Sequence, residues 1–264
     1  MSKLKYLVET SAVRPALGSS TTAHNRHFAE KTAGGSLWSS TYIRKEFIHR
    51  WVCDMIRIAV TIEQCDNVSD ALIILEQDFS PRNVKGTLAA VAQMLRETGA
   101  LDNKRLAEEE VASLAIRWLK LFDKDLASRI ANLCKCQIGG RTPAVDYNNL
   151  LDDLHSFHEE FRTPVLDCEV NAFLAFVDPS GRAASLLADP EVCELPVGQK
   201  LQQYAAKQTW VTCKECASIG DAIIALEQPP SWCLVHVDRS FNHLCRARDR
   251  AHLPLKSVQA INKI

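Results

Sequence analysis

The sequence predicts an α/β protein built on a parallel sheet, and three observations favour this fold class. Strand-like apolar runs lie near both ends of the chain, at residues 5–9 and 232–237. Segments with helical periodicity follow the first run, and others lie on both sides of the second. Strands that alternate with helices are typical of parallel sheets covered by helices.

The N-terminal part of the chain contains one predicted strand and one short predicted helix. The strand is placed over residues 5–13, because Tyr6-Leu7-Val8 is an apolar run that closes before Pro15. The helix is placed over residues 22–32 and ends before Gly34-Gly35.

A series of helices is predicted for the middle of the chain. The first begins after Ser39-Ser40-Thr41, which offers N-cap hydroxyls, and carries apolar residues at helical spacing from Ile43 to Ile58. Further helical patterns span residues 67–77, 86–98 and 104–133.

The C-terminal half mixes strands with helices. A β-hairpin is predicted from residues 170–177 and 183–187, because Asp178-Pro179-Ser180-Gly181 between them favours a four-residue turn. The remaining predicted elements are helices over residues 198–207 and 218–228, a strand over 232–237 and a last helix over 240–248.

The composition indicates a globular protein of the cytoplasm. The 264 residues are 47% hydrophobic and 24% charged, which is ordinary for this class. No apolar run approaches the length of a membrane span, and the first residues lack a secretory signal, so no membrane partner is expected. The ten cysteines are therefore expected to be reduced.

The net charge of −1 conceals two basic ends around an acidic middle. Residues 1–60 contain nine Lys or Arg against four acidic residues, and residues 237–264 contain six against two. Such ends would form a phosphate-binding face if they fold together. Chance scatter over a solvated surface explains the pattern equally well.

Four acidic residues are candidates for a metal site. Glu9 and Asp238 end the two predicted terminal strands, and ligand groups in parallel sheets cluster beyond the carboxyl ends of strands. Glu46 lies between apolar residues of the first long helix, and Asp221 opens the helix before the second strand. Converging carboxylates need a neutralising cation, and hard oxygen ligands favour Mg²⁺ or Mn²⁺.

Each of these acids also has a purely structural interpretation. Glu9 can simply end a strand, and Glu46 can pair with Arg50 one helical turn later. Asp221 suits a first helical turn, and Asp238 suits the N-cap region of the last helix. Taken one at a time, each acid fits its structural interpretation better; their occurrence in the order of a known family's motifs reverses this judgement.

The acids and their neighbours resemble a known family. Four short segments are similar, in order, to the motifs of PIN-domain ribonucleases: Val8-Glu9-Thr10-Ser11-Ala12, Glu46, Gly220-Asp221-Ala222-Ile223-Ile224-Ala225 and Val237-Asp238-Arg239-Ser240-Phe241. The resemblance implies a small doubly wound parallel sheet formed by residues 1–65 and 211–264. Residues 66–210 would then be a mainly helical insertion that contains the small β-hairpin.

The resemblance also implies roles for individual residues. Glu9, Glu46, Asp221 and Asp238 would hold Mg²⁺ or Mn²⁺ and carry the catalysis, and the hydroxyls of Thr10 and Ser11 would support Glu9. Those hydroxyls equally suit the backbone at a strand end.

Two positions depart from the family's pattern. The first acid is usually Asp, and Glu9 carries one more methylene. A Thr is common two residues before the last acid, where this chain has His236. His236 either supports a metal ligand through a hydrogen bond or is a buried, hydrogen-bonded strand residue.

The implied substrate is RNA, and four basic residues adjoin the motifs. Arg14, Arg44, Lys45 and Arg239 are the nearest candidates for contacts with RNA phosphates. Most surface Lys and Arg residues have no such specific role, so this assignment depends on where they lie in the fold.

The cysteines between residues 134 and 216 form a second candidate metal site. Cys213 and Cys216 form a Cys-x-x-Cys pair, and the partners for a closed tetrahedral zinc site would come from Cys134, Cys136, Cys168 and Cys193. Cysteine is also a small apolar core residue, and a redox pair is a third interpretation.

The sequence therefore predicts a metal-dependent endoribonuclease that hydrolyses RNA through a carboxylate quartet. One alternative is a degenerate PIN-like scaffold that binds RNA or a protein partner without cutting. Another is an unrelated α/β interaction protein with structural acids. Homo-oligomers are compatible with each of these.

Overall fold

A computed structural model of the protein describes residues 3–17, 23–78, 81–126, 128–130, 182–207 and 218–255. In this part of the chain, five strands form one sheet in the order β3-β2-β1-β4-β5. The strands are β1 (Lys5–Val8), β2 (Ser36–Ser40), β3 (Ser128–Ile130), β4 (Cys233–His236) and β5 (His252–Pro254). All four neighbouring pairs are parallel, which confirms the predicted α/β class with a parallel sheet.

The strand order reverses between β1 and β4. The chain runs from β1 outward through β2 to β3, and it then returns to the other side of β1 to form β4 and β5. Such a reversal opens a crevice at the carboxyl ends of the two central strands, where ligands of parallel sheets bind. The fold therefore points to the ends of β1 and β4 as the place for a functional site.

The two central strands are those that the sequence predicted. Leu7 pairs with Leu234 and Val8 with Val235 in the parallel register, and all four side chains are buried. Apolar side chains on both faces are typical of a central strand in a covered parallel sheet. Burying one such side chain stabilises the fold by about 1.5–3 kcal/mol relative to exposing it. The prediction that both chain ends share one sheet is confirmed.

The helices are numbered in chain order, and the described part of the chain places them as follows: α1 (Thr10–Leu17), α2 (Ala23–Lys31), α3 (Thr41–Phe47), α4 (Cys53–Gln64), α5 (Val68–Asp78), α6 (Pro81–Glu97), α7 (Lys104–Asp125), α8 (Arg182–Leu187), α9 (Pro190–Glu194), α10 (Pro196–Lys207), α11 (Gly220–Glu227) and α12 (Ser240–Ala247). A π-helical turn (Ile48–Val52) joins α3 to α4. The predicted N-cap of α3 is confirmed, because the backbone N–H of Ile43 donates to Ser40 Oγ at 3.1 Å.

The described helices do not combine the length and apolarity that a membrane crossing requires.

Three predictions of local structure are wrong. The strand predicted over residues 5–13 ends at Val8, and α1 begins at Thr10 with Pro15 inside it. Residues 183–187, predicted as the second hairpin strand, belong to α8, as its Ala and Leu residues favour. The helix predicted over residues 104–133 ends at Asp125, and β3 follows it. The first hairpin segment, residues 170–177, lies outside the described residues.

The chain divides into two compact units. Unit 1 comprises Met1–Glu46, Leu121–Gly139 and Val165–Ile264, and unit 2 comprises Phe47–Lys120 and Gly140–Pro164. Within unit 2 the ring of Trp118 lies 6.1 Å from the Phe47 ring and 6.4 Å from the Trp51 ring, measured between centroids. The predicted boundaries at residues 65/66 and 210/211 differ from those of the units. The assignment of a nuclease domain and an insertion remains a prediction.

Candidate functional site

Residues directly after β1 and β4 meet at the point where the strand order reverses. Glu9 follows β1, and its backbone N–H continues the sheet by donating to the carbonyl oxygen of Val235 at 3.1 Å. Val237 follows β4, and its N–H donates to Oε1 of Glu9 at 3.1 Å. The side chain of Glu9 thus turns toward the neighbouring strand and joins the two strand ends.

Glu9 is buried, with 3% of its surface exposed, and its carboxylate has three donors. Ser11 supplies two of them, because its N–H donates to Oε2 at 2.7 Å and its hydroxyl donates to Oε1. Val237 supplies the third through its N–H. Glu9 also precedes α1 directly, and the amides of a first helical turn favour a carboxylate.

Burial dominates the electrostatics of Glu9. Loss of solvent raises its pKa from 4.5 to about 7, and the hydrogen bonds from Ser11 and Val237 oppose this rise. The nearby charge of Asp221 raises the pKa further. A buried carboxylate with a raised pKa is stabilised by any cation that comes within contact, because the cation restores the favourable field that water had supplied.

Glu46 is the second buried acid of this site, with 5% of its surface exposed. The hydroxyl of Thr10 donates to its Oε2, so consecutive residues of α1 hold the two glutamates. The start of α11 approaches α3 closely here. A Cβ at Gly220 would lie 2.9 Å from the Tyr42 hydroxyl oxygen and 3.6 Å from Oε1 of Glu46. A larger residue at this position would have to displace the Tyr42 hydroxyl, and glycine avoids this.

Asp221 follows Gly220 in the first turn of α11 and is half-buried. Its Oδ2 accepts a hydrogen bond from the hydroxyl of Ser240 at 2.7 Å. Because its charge also raises the pKa of Glu9, the two carboxylates lie within electrostatic range of each other. Glu9, Glu46 and Asp221 are therefore brought to one end of the sheet by three different elements.

Asp238 occupies the turn between β4 and α12 and is exposed. Its Oδ1 accepts the backbone N–H of Ser240 at 2.8 Å. This bond satisfies a free amide in the first turn of α12, which is the structural role that the sequence left open for Asp238. A carboxylate that caps a helix with one oxygen still presents its second oxygen to a ligand.

His236 is a buried residue of β4 and is fully hydrogen-bonded. Its Nδ1 lies 2.7 Å from the carbonyl oxygen of Asp238, and its Nε2 lies 3.1 Å from Nδ1 of His252. A carbonyl only accepts, so Nδ1 of His236 donates and its Nε2 accepts from His252. Burial lowers the pKa of His236 to about 4 and keeps the ring neutral. His236 therefore supports the backbone of Asp238.

The four basic candidates are placed differently. Arg44 forms a two-pronged ion pair with Asp123, with Nε to Oδ1 at 2.6 Å and Nη2 to Oδ2 at 2.8 Å. The Arg44 guanidinium therefore pairs with a carboxylate of α7. Lys45 is half-buried and Arg239 is exposed beside Asp238. The side chain of Arg14 lies outside the described residues.

Most of the candidate zinc ligands lie outside the described residues, namely Cys134, Cys136, Cys168, Cys213 and Cys216. Cys193 is described, and its thiol donates to the carbonyl oxygen of Leu187 at 3.1 Å. A zinc site with Cys193 as a ligand would require the thiolate, which gives up this bond. The zinc site remains a prediction.

The donor set at the ends of β1 and β4 suits a hard cation. Among the described residues, no three His, Cys, Asp or Glu side chains are gathered closely enough to hold a metal ion. Mg²⁺ does not need three, since it keeps several waters and takes one or two protein carboxylates. Glu9 and Asp221 are two carboxylates within electrostatic range of each other, so the chemistry of this donor set is compatible with Mg²⁺ or Mn²⁺.

The raised pKa of Glu9 predicts a pH-dependent stability of the metal-free protein. Between about pH 4.5 and pH 7 the folded chain keeps the Glu9 proton and the unfolded chain releases it, so stability falls as pH rises. The Glu9 contribution should reach roughly 3 kcal/mol, which corresponds to the difference between a pKa of about 7 and one of 4.5. Urea unfolding in a chelating buffer measures it.

The matched variant for this measurement is Glu9→Gln. The lowered pKa values of His236 and His252 act in the opposite direction, since they reduce stability at acidic pH. Only the difference between wild type and Glu9→Gln isolates Glu9. Parallel pH profiles of the two proteins would contradict the raised pKa of this carboxyl.

Three residues of this region were not singled out from the sequence. Ser240 contacts two acids, His252 supports His236, and Tyr42 lies beside Glu46 and Gly220. Ser240 lies inside the fourth motif segment, and its position two residues after Asp238 is the one signal that pointed to it. His252 and Tyr42 depend on β5 and α3 docking, which the sequence pattern does not express.

Comparisons with protein-family models, with curated proteins and with solved structures find no match for this chain.

Proposed function

We propose that this chain is a metal-dependent endoribonuclease of the PIN type that hydrolyses RNA phosphodiester bonds. The observation that carries the proposal is the arrangement around Glu9. A buried carboxylate with three donors lies at the reversal of strand order, within range of the charge of Asp221. The four motif segments around these acids support the choice of an RNA-cutting activity over other uses of a hard cation.

The proposal gives the acids different roles. Glu9 and Asp221 would hold Mg²⁺ or Mn²⁺, and Asp238 would add its second oxygen from the turn after β4. Such an ion would supply an activated water and positive charge beside the phosphate. Thr10 orients Glu46, which contributes negative charge beside the metal-binding pair. Arg239, exposed next to Asp238, is the best-placed cation for an RNA phosphate.

The direct test is cleavage of a fluorescently labelled single-stranded RNA by the purified protein. Cleavage should require Mn²⁺ or Mg²⁺ and stop with EDTA. The variant Asp221→Asn, purified in the same way, controls for contaminating nucleases and should be inactive. The proposal is wrong if the wild type cuts neither RNA nor single-stranded DNA with either ion.

A second candidate is an RNA-binding scaffold of the same shape that does not cut. It is favoured by the role of Asp238 as a helix cap and by the lack of a three-donor group among the described residues. Such a scaffold would bind labelled RNA equally well with EDTA and with Mn²⁺ and leave it intact. A protein partner that covers the same acids is also compatible with this scaffold.

A further inference from the structure

Ser240 contacts two acids that come from different elements. Its backbone N–H donates to Oδ1 of Asp238 at 2.8 Å, and its hydroxyl donates to Oδ2 of Asp221 at 2.7 Å. Asp238 lies in the turn after β4, whereas Asp221 lies in α11, which precedes β4. One residue therefore joins the acids on the two sides of the strand.

The two hydrogen bonds use both donors of Ser240. A hydroxyl has one proton to donate, and here it goes to Asp221. The backbone N–H of the first residue of α12 has no acceptor within the helix, and here it goes to Asp238. Both donors of Ser240 thus point at carboxylates, and this one residue links Asp221 to Asp238.

We propose that Ser240 is a positioning residue that holds Asp221 and Asp238 as a pair oriented toward one cation. The inference rests on the proposed metal-dependent function and deepens it, because it names the residue that sets the geometry of two ligands. Hydrogen-bonding partners of metal ligands fix ligand orientation, and their loss costs about 10–100-fold in metal affinity. A residue with only a capping role would have no such effect.

The variant Ser240→Ala separates the two bonds. It keeps the backbone N–H to Asp238 and removes only the hydroxyl to Asp221. Ser240→Thr retains a hydroxyl at the same position and should restore the wild-type behaviour. Thr61→Ala is the matched control, because it removes a hydroxyl that donates to the carbonyl oxygen of Arg57 at 2.8 Å in α4, within the other compact unit.

Titration of the full chain with Mn²⁺ alone, followed by electron paramagnetic resonance, gives the dissociation constant of each variant. Ser240→Ala should bind Mn²⁺ at least about 10-fold more weakly than wild type. Ser240→Thr and Thr61→Ala should stay within about 2-fold of wild type, a spread that is ordinary for such measurements. Equal binding by wild type and Ser240→Ala would overturn the inference.

The metal-free protein gives a second, independent measurement. If Ser240 bonds to Asp221, the unfolding temperatures of Ser240→Ala, Asp221→Ala and the double variant are not additive, because the second change finds the bond already lost. Additive shifts would overturn the inference. A wild type that binds no Mn²⁺ would instead reject the proposed function, and the coupling would still decide whether the bond between Ser240 and Asp221 exists.

Discussion

Glu9→Gln should lower Mn²⁺-dependent RNA cleavage by about 1,000-fold, which corresponds to about 4 kcal/mol of lost transition-state stabilisation. Glutamine keeps the shape of the side chain and one accepting oxygen for Val237 and the Ser11 hydroxyl. It removes the charge that the proposed cation at the end of β1 would require. Cleavage rates under single-turnover conditions measure the loss.

Asp54→Asn is the matched control for this variant. Burial raises the pKa of Asp54 to about 7, as it does for Glu9, but Asp54 belongs to the other compact unit. Its amide variant should therefore cleave at the wild-type rate. Full activity of Glu9→Gln would show that this carboxylate has only a structural role at the start of α1.

Glu9→Asp separates length from charge, and the geometry predicts a loss of activity. The carboxylate of Glu9 reaches Val237 on the neighbouring strand at 3.1 Å. Removing one methylene withdraws it by about 1.5 Å, the length of one carbon–carbon bond, and this breaks the hydrogen bond. Higher activity of Glu9→Asp would contradict this reasoning and show that the longer residue impairs the site.

Asp238→Asn should also lower cleavage by about 1,000-fold and leave the fold intact. The asparagine oxygen still accepts the N–H of Ser240, because Asn and Asp are comparable helix caps. Asp238→Ala should lower cleavage by the same factor, and it should also lower the free energy of unfolding by about 1 kcal/mol. Cleavage rates together with urea unfolding of both variants distinguish the charge of Asp238 from its cap.

The same two variants would also reveal a purely structural role of Asp238. If Asp238 were only a cap, Asp238→Asn would cut RNA at the wild-type rate and Asp238→Ala would differ only in stability. That result would favour the scaffold that binds without cutting. It would leave Glu9 and Asp221 as the acids with a further role.

The central part of the sheet could be predicted from the sequence because its strands carry their own signal. β1 and β4 are apolar runs that end on polar residues, and their burial in the structure follows from that composition. The strand next to this central pair carries no such signal. β2 contains only Leu37 and Trp38 as apolar residues, and it is a strand because it pairs with β1. Strand propensity depends on such neighbours more than on sequence.

The candidate site likewise combines residues that the sequence predicts with contacts that it does not. Glu9, Glu46 and Asp221 could be proposed because two adjoin central elements and one lies among apolar residues of a helix. The contacts that define the site depend on backbone geometry at the turns. Ser240 reaches both of its acids only because α11, which precedes β4, packs against α12, which follows it. No pattern of residue types along the chain expresses that placement.

The hydrogen bond between Glu9 and Val237 joins residues 228 positions apart in the chain. At synthesis rates of about 5–20 residues per second, β4 leaves the ribosome roughly 10 to 50 seconds after β1. Through that interval Glu9 lacks the neighbouring strand β4, although β2 has already been made. A chain still being translated therefore lacks the bond between Glu9 and Val237 until β4 has emerged and paired with β1.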